Sequence, residues 1–372
     1  MSKTIVFRVD ASLQMGSGHV MRCLTLADAL SQRGMECRFV CRPQSGDLIN
    51  HIRGKGYEVY ELPTYTNNLE KLRSFPALAH ANWLGTTQEC DAADCRKILS
   101  SIVFDWLVVD HYALDARWEI SMKANYQNLM VIDDLADRPH ECDLLLDQNL
   151  GQLPGDYTAL VPEHCRILAG AEFALLRPEF SELRLNSLSR RATTDAELKN
   201  ILVTMGGVDV ANTTAYVLQA LNGVVSPSDH ISVVMGSSAP WLNEIRQLAN
   251  NLSCTCEVLV NTSDMAKLMA NSDLAIGAAG STSWERCCMG LPTLIAVAAE
   301  NQRVAAKRLE EAEAAFSFSI EEKQATSLQL LFRRLKSAPT ILRNMSRNAA
   351  SITSGYGCKY VIKNMLEIHQ DG

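Results

Sequence analysis

RVDASLQMGSGHVMRCL, residues 8–24, joins an apolar run (Thr4–Val9) to an amphipathic segment through a loop punctuated by Gly16 and Gly18. The apolar run predicts a β-strand. Val20, Cys23, Leu24, Ala27 and Leu30 fall at i, i+3, i+4, i+7 and i+10, one stripe of a helix over Val20–Arg33, with Gly34 as its stop. Strand, glycine loop and helix in that order make a β-α unit, and open α/β sheets bind ligands at the loops after their strands. Gly16 and Gly18 let backbone N–H groups approach a ligand. The loop delivers His19 to the helix start, where the helix dipole disfavours a protonated imidazole. A neutral histidine there is a candidate general base. Asp10 could orient it or bind a sugar, and Arg8 and Arg22 lie within reach. Arg22, one turn into the helix, could meet a phosphate or simply form a salt bridge. The loop lacks the third glycine of the dinucleotide fingerprint, which argues against NAD.

Outward from this unit the alternation continues. Further strands are expected at Glu36–Cys41, Tyr57–Glu61, Trp106–Asp110, Leu129–Asp133 and Leu144–Asp147, with a helix at Leu114–Asn125. These are continuous apolar runs, as in a parallel sheet covered on both faces. Three of them end in aspartate (WLVVD, MVIDD, LLLD), which aims carboxylates at the crevice. A second block begins near Lys199: ILVTMGG, a helix from about Val210, ISVVMG, CEVLV, DLAIGAAG and TLIAV. The expected architecture is α/β, with two Rossmann-like doubly wound domains facing a cleft. The first spans residues 1–175 and carries the His19 loop. A linker (176–198), whose polar run SLSRRATTD through Asp195 suggests exposed chain, leads to a nucleotide-binding domain at 199–354. A C-terminal helix (355–372, with Lys359–His369 helical) follows Gly355.

Composition narrows the class. Hydrophobic residues are 47% and charged residues 21%, ordinary for a globular protein. A net charge of -7 and a pI near 5.7 argue against nucleic acid or an anionic membrane as partner. The 12 cysteines include no Cys-x-x-Cys pair and read as small buried hydrophobes in a reducing cytosol. No signal peptide or membrane-length apolar run is seen, so a cytoplasmic protein is expected, monomeric by default.

The second block holds its own candidates. GAAGSTSWE (277–285) follows a strand and opens a helix. Gly280, Ser281 and Thr282 would present N–H groups and hydroxyls to an anion. Ser281 or Ser283 could equally cap the helix, and Glu285 could accept ribose hydroxyls or only complement the dipole. Gly206 and Gly207 form another tight turn after a strand, beside the same phosphates or merely turning the chain. Asn301 and Gln302, in AAENQ, offer amides at the edge of the crevice. The Asp133-Asp134 pair reads as a strand end with crevice-facing and structural carboxylates rather than a metal site.

Taken together, the motifs resemble a known family. RVD…GSGHVMRCLTLA, VVDHY (108–112), IDDLADRPHECDLLLDQN (132–149), LLRPEF (175–180), VTMGGVD (203–209) and GAAGSTSWE…GLP…AENQ occur in order over nearly the whole chain. They resemble the UDP-2,4-diacetamido-2,4,6-trideoxy-β-L-altropyranose hydrolases of pseudaminic acid biosynthesis, relatives of the glycosyltransferase-B superfamily. The resemblance implies a hydrolase in which His19 activates water for attack on the anomeric carbon, breaking the C–O bond to UDP. It implies sugar-side roles for Tyr112 and Asn301 and a nucleotide-side role for Gly280–Ser283 and Glu285. It further implies a UDP-sugar substrate, no metal and no cofactor. A transferase of the same superfamily and a non-catalytic nucleotide-sugar-binding protein are the rival readings.

Overall fold

The computed structural model describes residues 3–65, 78–192, 197–297, 303–320 and 326–368. The chain divides into two compact units, Met1–Leu175 with Gly357–Gly372, and Leu176–Tyr356. Among the described residues each unit is built on one parallel sheet.

In the first unit the strands are β1 (Thr4–Val9), β2 (Glu36–Cys41), β3 (Glu58–Glu61), β4 (Phe104–Asp110), β5 (Tyr126–Ile132), β6 (Leu144–Asp147) and β7 (Arg166–Ala169). Their order is β3-β2-β1-β4-β5-β6-β7. Alternate residues serve opposite faces, as the period of a strand requires. Ile5, Phe7 and Val9 share a core with Val20, Cys23 and Leu24 of the helix Gly18–Ser31. Val6, Leu107 and Val109 share the other with Trp118 and Met122 of the helix Ala116–Met122. Both faces are therefore covered, which is why these strands read as unbroken apolar runs.

The second unit contains β8 (Asn200–Thr204), β9 (His230–Met235), β10 (Thr255–Val260), β11 (Leu274–Ala278), β12 (Thr293–Val297) and β13 (Ala315–Ser319), in the order β10-β9-β8-β11-β12-β13. Strand order reverses between β1 and β4 in the first sheet and between β8 and β11 in the second. At such switch points the following loops splay apart and leave a crevice for ligand. The loop after β1 carries His19, and the loops after β8 and β11 carry the two glycine turns. This two-sheet α/β architecture is the one expected from the alternating pattern.

Particular elements differ from expectation. β7 and β13 are edge strands, half-exposed along much of their length, so neither has the continuous apolar run of a central strand. The helix expected from Val210 begins at Thr213. Asp209, in a left-handed conformation (φ 47°), accepts from Thr213 N at 2.9 Å and Thr214 N at 2.8 Å, holding Val210 and Ala211 in the preceding turn.

The stretch expected as an exposed linker instead carries the helix Pro178–Ala192, which packs within the second unit; Asp195 lies outside the described residues. Its arginines donate to the free carbonyls that end neighbouring helices. Arg184 reaches Cys288 O, Thr353 O (3.0 Å) and Ala350 O (2.6 Å), and Arg191 reaches Met269 O and Ser272 O (both 2.6 Å). A polar sequence thus folds because its charges complete the ends of other helices.

The C-terminal helix, Gly357–Glu367, returns to the first unit, where Val361, Ile362 and Met365 share the core of Val20 and Leu24. A Cβ at Gly357 would lie 2.1 Å from Ala174 O, so only glycine permits that approach. No helix among the described residues is long and apolar enough to cross a membrane.

Candidate functional site

The loop after β1 is folded by local bonds. Gly16, at φ 77°, forms an isolated antiparallel bridge with Ser12, its N–H donating to Ser12 O at 2.8 Å. A side chain at that φ would be strained. Ser17 and Gly18 then start the helix, and His19 occupies its first turn with 9% of its surface exposed.

β1 pairs with β4 in a register that sets Val9 beside Asp110, the last residue of β4. Asp110 is thereby brought to His19, and their Oδ1 and Nδ1 atoms are 2.6 Å apart. A carboxylate only accepts, so Nδ1 carries a proton, and on the neutral ring Nε2 is left with the lone pair. Nε2 takes no hydrogen bond among the described residues. Arg22 clasps the same carboxylate with both edges of its fork, Nε to Oδ2 at 2.6 Å and Nη2 to Oδ1 at 2.7 Å. Burial alone would favour the neutral acid, but the charge of Arg22, followed by the hydrogen-bonded His19 ring, holds the Asp110 carboxyl well below the usual range. It is an ionised partner at any ordinary pH.

A second carboxylate extends the arrangement. Asp134 accepts from Arg22 Nη1 at 2.6 Å, from the Tyr112 hydroxyl and from Asn149 Nδ2 at 3.0 Å. Burial, reinforced by Asp134, pushes the Tyr112 hydroxyl far up, so it remains a donor. The Tyr112 ring meets the His19 ring edge-on, centroids 4.6 Å apart. Asn149 also donates to Asp147 at 2.9 Å; burial and then Asp134 push the Asp147 carboxyl up to about 6. Asp133 pairs with Arg138 at 2.7 Å and accepts from Leu135 N (3.2 Å) and Ala136 N (2.8 Å). Protein donors thus occupy both members of the Asp133-Asp134 pair.

Arg8 and Asp10 lie beneath this site, each 1% exposed. Arg8 bonds Asp10 at 2.6 Å and grips Asp91 through Nε at 3.1 Å and Nη2 at 2.8 Å. Arg42 joins the cluster, its N–H to Asp10 at 2.7 Å and Nη2 to Asp91 at 2.7 Å, while Trp118 Nε1 donates to Asp91 at 3.0 Å. His111 Nε2 lies 3.3 Å from Asp10 Oδ2. The geometry therefore makes Arg8 and Asp10 supports of the loop's base rather than groups facing a ligand. Arg22 likewise spends its guanidinium on Asp110 and Asp134.

In the second unit Gly206 (φ 93°) and Gly207 are exposed after β8. Gly236 N donates to Gly207 O at 2.9 Å, and a Cβ on Gly236 would come within 2.3 Å of that oxygen. After β11, Gly280 and Ser281 are exposed and the helix Thr282–Cys288 begins. The N–H groups of Ser281 and Thr282 take no partner among the described residues. Ser283 is buried, its hydroxyl accepting from Arg286 Nη2 at 2.9 Å. It therefore braces the loop from behind. Burial pushes the Glu285 carboxyl up to about 7, against the pull of Arg177, whose Nη2 is 3.9 Å away. Asn301 and Gln302 lie outside the described residues.

Asp91 gave no signal in sequence, being 83 residues from Arg8. Asp110 and Asp134 were visible only as acids at strand ends, and Asn149 was not singled out for this site. Their link to His19 follows from strand order, which no local pattern encodes.

Residues 200–356 match the glycosyltransferase family 28 C-terminal domain. The chain is 28% identical over 280 residues (74% of it, 85% of the relative) to UDP-2,4-diacetamido-2,4,6-trideoxy-beta-L-altropyranose hydrolase of Campylobacter jejuni. It is 24% identical over 366 residues (97% of each chain) to the spore coat polysaccharide biosynthesis protein SpsG of Bacillus subtilis. Among solved structures it is similar to MurG of Acinetobacter baumannii, with a TM-score of 0.70 at 16% identity, covering 99% of this chain and 100% of that one.

Proposed function

We propose that this chain, whose residues 200–356 match the glycosyltransferase family 28 C-terminal domain and whose fold is similar to that of MurG, hydrolyses a UDP-sugar, with a UDP-2,4-diacetamido-2,4,6-trideoxy-altropyranose as substrate. The observation that carries the reading is the His19–Asp110 pair: a buried carboxylate bonded to Nδ1 at 2.6 Å leaves Nε2 as the basic atom. Water attacks the anomeric carbon and gives its proton to Nε2. The C–O bond to the β-phosphate breaks, and its electron pair leaves with UDP. Asp110 stabilises the imidazolium that forms, and general-base help of this kind is worth about 10²–10⁴ in rate.

In the second unit, Gly206, Gly207 and the free N–H groups of Ser281 and Thr282 suit a diphosphate. Glu285, once ionised, suits ribose hydroxyls. Asp133 and Asp134 accept from protein donors, which supports reading them as structural carboxylates. The similarity to the Campylobacter hydrolase supports the sugar, and the base supports water as acceptor.

The test is UDP release by purified protein with EDTA and no acceptor, in ¹⁸O water, on that nucleotide sugar and on UDP-N-acetylglucosamine. Release from the first alone, with label in the free sugar, is expected. UDP binding without release would reject hydrolysis in favour of transfer or simple binding.

A further inference from the structure

An aromatic cluster stands beside His19 that neither the base nor the nucleotide loops require. His80 and Trp83 belong to a short turn with a 3-10 helix at Ala81–Leu84, 61 or more residues from His19 in sequence. Trp83 stacks on Tyr112 (centroids 5.7 Å, planes 25° apart), and His80 contacts both rings, at 4.4 Å to Trp83 and 5.4 Å to Tyr112. The Trp83 ring lies 6.4 Å from the His19 ring, nearly perpendicular to it. The turn is anchored. Leu84 is buried in the core, Gln44 Nε2 donates to Trp83 O at 2.8 Å, and Gly85 closes the turn at φ 71°. Yet His80, Trp83 and Tyr112 all keep part of their surface open, unlike the core aromatics Phe7, Phe39 and Trp106 of the same unit.

We infer that Trp83, with His80 and Tyr112, forms a platform for the apolar C–H face of the pyranosyl group whose anomeric carbon is presented to His19. The inference rests on the nucleotide-sugar reading above and adds a determinant of sugar choice. An indole stacked on the Tyr112 ring, with the His80 ring tilted 45–49° against both, offers a partly open aromatic surface, the lining typical of small-ligand sites. That surface favours sugars whose hydroxyls are replaced by hydrogen or methyl groups, because each lost hydroxyl removes a desolvation cost. The Trp83 ring thus stands 6.4 Å from the imidazole that would activate water. Burial lowers the proton affinity of His80, which keeps its ring neutral beside the sugar.

The test measures calorimetric affinity in a His19→Ala background, which prevents turnover, for UDP and for UDP-2,4-diacetamido-2,4,6-trideoxy-altropyranose. Trp83→Ala is expected to weaken the nucleotide sugar about tenfold while leaving UDP unchanged, and Trp83→Phe to recover most of the loss. Unchanged affinity for the nucleotide sugar in Trp83→Ala overturns the platform, as does equal weakening of both ligands, which marks a structural role. If the parent binds neither ligand, the nucleotide-sugar reading fails and the platform's assignment fails with it. That result is read on the parent alone, before any Trp83 variant is compared.

Discussion

The His19 site and the Gly280 loop occupy equivalent places, each at the switch point of its own parallel sheet, yet they are built in opposite ways. Around His19 the polar groups are satisfied by one another: Asp110 by His19 and Arg22, Asp134 by Arg22, Tyr112 and Asn149. Around Gly280 the backbone is exposed, two N–H groups take no partner among the described residues, and Glu285 sits with its carboxyl pushed up to about 7. A group that must be aimed before reaction is held by charges. A surface that must accept an anion leaves its donors vacant until the anion arrives. On the proposed reading rate belongs to the first unit and affinity to the second, and substitutions can break that division.

The largest effect is expected from His19→Ala. Turnover should fall by about 10³ or more, while UDP affinity by calorimetry stays within a factor of about two. Near-normal kcat would remove the base from the mechanism. Asp110→Asn comes next, with a loss of about 10²–10³ in kcat. Its amide can donate to Nδ1, which moves the imidazole proton to Nε2 and takes away the lone pair. It also leaves Arg22 half-paired inside the protein, so a lowered Tm is expected too. The discriminating reading is a kcat loss measured well below that Tm; a Tm change with unaltered kcat would make Asp110 purely structural.

These two substitutions separate what was legible in the sequence from what was not. His19 was legible because strand, glycine loop and helix are contiguous over residues 4–31, and a local pattern is sufficient to place them. Asp110 was half legible, as one of three acids closing apolar runs, but its partner depends on β1 lying beside β4. Arg8 and Asp10 show the reverse. Their position next to the loop suggested contact with ligand, whereas Asp91 and Arg42 arrive from elements far along the chain and bury both. Similarly, the polar run that begins at Ser187 looked like exposed chain because the partners of its Arg191 are carbonyl groups, which no side-chain pattern reveals.

In the second unit Glu285→Ala should raise KM about tenfold with kcat nearly unchanged, the signature of an interaction made equally in ground and transition states. Lost kcat at constant KM would move Glu285 to the reacting end and dissolve the division between units.

A smaller effect sharpens it. Burial raises the Glu285 carboxyl from an ordinary 4.5 to about 7, so the native protein retains a proton that the unfolded chain releases. Between those values the native state binds more protons than the unfolded one, and this group's contribution to stability therefore declines as pH rises through the window. Ligand binding has the opposite sign. Only the carboxylate offers acceptors alone to ribose hydroxyls, so UDP affinity should increase from pH 6 to pH 8, by less than about tenfold. UDP's own phosphate also titrates near this range, so the measurement is the difference between parent and Glu285→Gln, in which that shared contribution cancels. A pH slope that survives intact in Glu285→Gln would mean that the proton belongs to another group. The same scan on His19→Ala should keep the parent's slope, because that substitution leaves Glu285 in place.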